Sequence, residues 1–162
     1  MAIATRPVLA YEVEPWERYW PDVQPLWLQH WREVGLDHGA VPLDPDMAKY
    51  QAYADAGILF ILTVRTVPDA ELVGYLTAIL VGHLHYKSTL YAIGDLFYLA
   101  PACRRGFAGV RLFREAERHF RRLGVKKVQM GTKLHDGLDV SRLLERLGYR
   151  HTDKLYCKVL ED

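Results

Sequence analysis

The sequence predicts a single α/β (α+β) domain over residues 1–162, a mixed, mostly antiparallel central sheet flanked by helices. Three observations carry this. Strand-like runs at 58–66, 72–85 and 88–100 follow one another with no helical pattern between them. Two helical patterns precede them, and a helix, a strand, a helix and a further strand follow. With 50% hydrophobic and 25% charged residues, the 162-residue chain can bury a core without cross-links. The two cysteines, Cys103 and Cys157, are therefore expected reduced.

"PVLAYEV" (7–13) reads as a first strand. In "WPDVQPLWLQHWREVG" (20–35), Val23, Leu26, Trp27 and Trp31 recur at helical spacing up to Gly35. "HGAVPLDP" is a proline-punctuated loop. "DPDMAKYQAYADAG" (44–57) predicts a second helix, with Asp44 as N-cap, Pro45 first in the helix and Gly57 as its stop. "ILFILTVRT", "VPDAE" and "LVGYLTAILVGHLH" make a strand, a turn and a long strand, an antiparallel hairpin. "STLYAIGDLFYLA" is the third strand, closed by Pro101. A helix over about 107–123 follows, then "VKKVQMGT" as a strand. "LDVSRLLERLG" is a short helix, and "YRHTDKLYCKVL" (149–160) a last strand or strand pair. The order is β-α-α-β-β-β-α-β-α-β(β). Three strands with no helix between them argue against a doubly wound dinucleotide fold.

Net charge is +1, unevenly placed. Residues 1–100 carry 6 basic and 12 acidic side chains, while residues 101–133 carry 10 and 2. A polyanion or a small phosphorylated cofactor would suit the basic segment. On the helix, Val110, Phe113, Ala116, Phe120 and Leu123 form an apolar face, with Arg111, Arg114, Arg118 and Arg121 opposite. A solvated face is the ordinary meaning of such arginines. Nucleic acid is disfavoured, because no recognition motif or stacking platform accompanies them. The first twenty residues do not read as a secretory signal, and "ELVGYLTAILVGHLHY" is too short to span a bilayer. A cytoplasmic protein with no membrane partner is expected. No His/Cys cluster has zinc spacing, so no metal is expected.

Residues 103–113, "CRRGFAGVRLF", run two arginines through a short turn into the basic helix. Backbone N–H groups in the first turn of a helix have no intrahelical partners, so this stretch can hold a pyrophosphate. Alternatively, Gly106 and Gly109 only shape the turn. Strand, Pro101, arginines, turn and helix together resemble the acetyl-CoA loop of the Gcn5-related N-acetyltransferase (GNAT) superfamily, Arg/Gln-x-x-Gly-x-Gly/Ala. The order of elements fits that family from residue 7 to 160, and "LLERLGYR" (143–150) is similar to its "lYeklGF" segment. "HW" (30–31), "PLDPD" (42–46), "GYL" (74–76), "HLHY" (83–86) and "YLAPACRRG" resemble a subgroup found in phages and prophages.

The loop aligns in two registers. One matches Gly106 and Ala108 to the two small positions and puts Cys103 where Arg or Gln is expected. The other, preferred here, matches Arg104 and Gly109 to the ends and leaves Phe107 in place of the first glycine. The resemblance implies acetyl-CoA as acyl donor, held by Arg104, Arg105, Gly106, Phe107, Ala108 and Gly109 and by the backbone of Phe97, Tyr98 and Leu99.

Direct acetyl transfer to an amine needs a base for the ammonium and an acid for the thiolate. In the family, a carboxylate on the fourth strand often serves as base, and Asp95 is the only acid in "STLYAIGDLFYLA". Strict alternation would put it on one face with Ile93 and Phe97. It could equally cap backbone at an irregularity beside Gly94. The family's usual acid, a tyrosine, is replaced by Leu144. Tyr98, Tyr156 and the pair His85/Tyr86 are the remaining candidates, and His83 and His85 are expected on one strand face. Trp27, His30, Trp31 and Glu33 offer an aromatic wall with an acid, suited to a cationic amine, or simply core.

The acceptor implied is a small-molecule or protein amine, and the resemblance allows a homodimer. The competing readings are an acetyl-CoA or CoA sensor or interaction module, and a basic-surface protein that binds a host protein or nucleic acid.

Overall fold

The computed structural model describes residues 7–35, 39–134 and 139–160. Its elements are β1 (Val8–Val13), α1 (Trp16–Val34), α2 (Met47–Asp55), β2 (Leu59–Val67), β3 (Leu72–His83), β4 (Tyr86–Leu99), a 3₁₀ turn (Pro101–Cys103), α3 (Ala108–Arg122), β5 (Lys127–Gln129) and α4 (Ser141–Arg146). The strands form one sheet in the order β1-β2-β3-β4-β5, antiparallel except for the β4–β5 pair.

Alternation along the strands divides the core in two. On β2, Phe60, Leu62 and Val64 pack with Leu112, Phe113, Ala116 and Phe120 of α3 and with Leu144 of α4. Ile61 turns to the opposite face, against Trp16, Tyr19, Val23, Leu26 and Trp27 of α1. Each large side chain so buried contributes about 1.5–3 kcal/mol.

That burial explains why α1 starts at Trp16, four residues before the predicted start. Pro21 and Pro25 lie inside it. Each removes a backbone hydrogen bond and costs about 3 kcal/mol. Trp16 and Tyr19, N-terminal to the first proline, are buried among their aromatic neighbours and offset that cost.

α2 is capped by Asp46, whose side chain accepts from the Lys49 amide at 2.9 Å, so the predicted Asp44 cap moves two residues along. Gly57 closes it at φ 67°. A buried ion network pins the entry to α1: Arg65 grips both carboxylate oxygens of Glu14 at 2.7 and 2.9 Å and reaches Asp22 at 2.7 Å.

The final strand expected over 149–160 does not form. Residues 150–160 have no regular secondary structure, and 151–160 are exposed. Apolar alternation makes a strand only beside a ladder partner, and β5, at three residues, presents almost none. The arginines of α3 are a salt-bridged, solvated face: Arg121 pairs with Glu117, and Glu115 takes Arg111 and Arg118. No described helix is long and apolar enough to cross a membrane. Cys103 is buried and Cys157 exposed, with no disulfide between them.

Candidate active site

The site is set by an irregularity in β4. Opposite it, Thr77 pairs with Leu96 and Ala78 with Gly94, so Asp95 is an extra residue, a β-bulge. Before the bulge, Leu90 and Ala92 pack on the α3 side; after it, Phe97 and Leu99 do. The bulge therefore exchanges the faces of the strand. Leu96 and Tyr98 turn toward α1, while Phe97 meets Phe113 edge-on at 5.2 Å. Asp95 does not share a face with Phe97 as strict alternation predicted. It lies on the α1/α2 side, where Thr77 Oγ1 donates to it at 3.3 Å and Tyr50 of α2 is a further hydrogen-bond partner.

Although Asp95 is exposed to solvent on one side, the protein crowded round its carboxyl pushes its pKa up, against the pull of the Thr77 and Tyr50 hydrogen bonds. Tyr50 is pushed up to about 12, by burial first and Asp95 second, so it stays a neutral donor.

Beside this pair, α1 contributes a second polar cluster. His30 Nδ1 lies 2.8 Å from the Tyr75 hydroxyl, and its ring stacks on Tyr98 at 5.1 Å. Burial lowers the His30 pKa to about 4, which leaves the imidazole neutral near pH 7. With Tyr75 assigned as donor to Nδ1, the ring proton sits on Nε2. The Tyr98 hydroxyl donates to Glu33 at 3.2 Å, and burial and that carboxylate raise its pKa. Glu33 in turn holds Arg104 at 2.6 Å.

Between α1, the 41–45 segment, α2 and β4 lies a cavity of about 280 Å³, whose walls include Trp27, His30, Trp31, Tyr50 and Leu96. Trp27 meets both expectations: it is 5% exposed in the core, and it lines the cavity.

On the other side of the bulge the sheet opens. β5 pairs only with Tyr91, Ala92 and Ile93, so β4 from Gly94 onward has no ladder on that edge among the described residues. The carbonyl of Leu99 is taken by Arg104 Nε at 2.7 Å. α3 begins at Ala108 with no side chain capping it, after Gly106 at φ 67° and an outward-facing, 80% exposed Phe107. This geometry fits the register that pairs Gly106 and Ala108 with the small positions of the loop pattern, in place of the preferred Arg104–Gly109 register. Gly109 lies inside the helix, where an added Cβ would meet only Leu143, at 3.7 Å.

The candidates expected from the sequence separate accordingly. Asp95, Tyr98 and the Phe97–Gly109 stretch lie around the bulge and the opening. His85 lies in the exposed turn between β3 and β4, past the end of the strand predicted to carry it. From Tyr86 to Asp95 is about 30 Å of strand, so His85 takes no part in this cluster. Tyr156 is exposed on the C-terminal stretch. Leu144 is buried in the core, so no proton donor stands at its position. Sequence reasoning missed Tyr50, Tyr75 and Thr77. The last was signalled by a lone polar residue inside "GYLTAILVG". No cluster suited to a metal ion occurs among the described residues.

The model of the acetyltransferase (GNAT) family matches residues 10–149. No curated protein sequence matches the chain. Among solved structures, a Trypanosoma brucei acetyltransferase superposes with a TM-score of 0.69 at 15% identity, covering 94% of this chain and 100% of that one. An aminoglycoside acetyltransferase from an uncultured soil metagenomic sample, in complex with sisomicin, gives 0.68 at 12%, covering 94% and 97%. AAC(6')-Iy, in complex with the bisubstrate analogue CoA-S-monomethyl-acetylneamine, gives 0.63 at 16%, covering 96% and 99%. At these identities the likeness is one of fold.

Proposed function

The chain belongs to the acetyltransferase (GNAT) family, and from that premise we propose that it transfers the acetyl group of acetyl-CoA directly to a primary amine. The observation that carries the amine is Asp95: the bulge sets a carboxyl of raised pKa on the α1/α2 side, hydrogen-bonded to Tyr50, which lines the cavity. The solved neighbours described as aminoglycoside acetyltransferases support an amine-bearing acceptor.

The residues present fit acetyl-CoA. The uncapped first turn of α3, the left-handed Gly106 and the exposed Arg104 and Arg105 suit a pyrophosphate, and the unladdered edge of β4 at Phe97, Tyr98 and Leu99 suits an amide-bearing arm. When bound, acetyl-CoA supplies an activated thioester carbon. Asp95 takes the proton that the ammonium must lose before its nitrogen can form the new N–C bond. Tyr50 and Thr77 hold the carboxylate in place through their hydrogen bonds. Leu144 offers no proton to the leaving sulfur, so the second proton that the nitrogen sheds as the amide forms would pass to that sulfur through water.

Calorimetry with acetyl-CoA, followed by thiol release over an amine panel, tests this reading. Wild-type protein is expected to bind acetyl-CoA and turn over, and Asp95→Asn to lose about 10²–10⁴-fold in rate. No acetyl-CoA binding would overturn the function, and an unchanged rate in Asp95→Asn would remove the base. The absent tyrosine favours a sensor as second reading; acetyl-CoA binding with no thiol release for any amine would establish it.

A further inference from the structure

We propose that the acceptor is a monoamine on a compact apolar or aromatic body, seated between α1, α2 and β4 with its ammonium toward Asp95. The inference rests on the acetyl-transfer reading above and specifies its substrate.

Size speaks first. At about 280 Å³ the cavity lies at the small end of ligand pockets, which span roughly 300–1,000 Å³. Chemistry speaks next. Trp27, Trp31, Val34, Leu43, Tyr50 and Leu96 give apolar and aromatic walls. His30 adds no charge near neutral pH. Asp44 is the one formally charged residue in the lining, and Asp95, outside the lining, is hydrogen-bonded to Tyr50 and next in the chain to Leu96, both of which line the cavity. Two carboxylates cannot partner the several ammonium groups of a polyamine or an aminosugar antibiotic, and an unpaired cation against these walls is costly. A single ammonium satisfies the site: Asp95 matches its charge, aromatic rings among the walls attract a cation, and the body fills the apolar lining.

Thiol release should be compared for 2-phenylethylamine, spermidine, kanamycin and a lysine peptide, with binding of each amine followed separately by tryptophan fluorescence without acetyl-CoA. The expected result is a kcat/KM for 2-phenylethylamine at least tenfold above the others. Leu43→Trp, placed on a half-open wall position, fills the cavity without touching the core. It should raise KM and the fluorescence Kd for 2-phenylethylamine at least tenfold while leaving acetyl-CoA affinity unchanged. Preference for kanamycin, spermidine or the peptide, or equal Kd in Leu43→Trp, would overturn the proposal and leave acetyl transfer standing. Acetyl-CoA binding lost altogether would instead strike the reading on which it rests.

Discussion

Arg104 of the loop before α3 and Glu33 of α1 meet at 2.6 Å, 71 residues apart in the chain. The contact ties the loop expected to hold a pyrophosphate to the helix that walls the cavity. Arg104 also packs over the Tyr98 ring, at 5.2 Å, and donates to the Leu99 carbonyl. Its guanidinium is thus held at the point where β4 leaves the sheet.

A cation held so near the turn should contribute to acetyl-CoA binding through one charge-assisted hydrogen bond. Arg104→Ala is expected to raise the acetyl-CoA Kd about tenfold by calorimetry. Glu33→Gln removes the competing carboxylate and should tighten binding instead. Equal affinities in all three proteins would show that Arg104 serves only the loop.

Gly106 and Gly109 should respond oppositely to alanine. Gly106 sits at φ 67°, where a Cβ costs about 1–2 kcal/mol. Gly109 lies in a helix with room for a methyl group, so alanine there should stabilise by about 0.5–1 kcal/mol. Denaturant titration reads both signs. Acetyl-CoA binding weakened only in Gly106→Ala would support the register that the turn geometry favours.

His30 makes stability depend on pH. Its folded-state pKa of about 4 lies below the ordinary 6.5, so as pH falls the unfolded chain takes up the proton first. This contribution is complete above about pH 6.5 and is lost as pH drops toward 4, by about 2 kcal/mol between 6.5 and 5. Asp95, with a raised pKa, acts in the opposite sense at lower pH. Comparing urea unfolding of wild type and His30→Gln across that window isolates the histidine. Parallel pH slopes for the two proteins would refute the assignment.

The order of elements through α4 was legible because its cues are local: apolar spacing, Pro101, and the three unbroken strands. What escaped depends on partners distant in sequence. Trp16 and Tyr19 extend α1 across two prolines only because the sheet buries them. The C-terminal stretch alternates like a strand but finds no ladder. Asp95 was put on the wrong face, since a bulge is a property of two strands and is not visible in one. Tyr50 and Tyr75 escaped for the same reason: α2 and β3 bring them to the site, and no spacing within either segment announces it. Gly106 likewise takes a left-handed backbone that no motif match displays.

The extra residue at Asp95 divides β4 into two alternation phases, one running to Gly94 and the other from Leu96. Deleting a single residue there would bring the phases into step. Leu96 to Leu99 would keep their present partners on β3, from Thr77 to Gly74, and their present layers, so the bulge adds the acid without displacing either core. Substitution at 95 and deletion of 95 would therefore both cost the acid and leave the floor of the two layers in place.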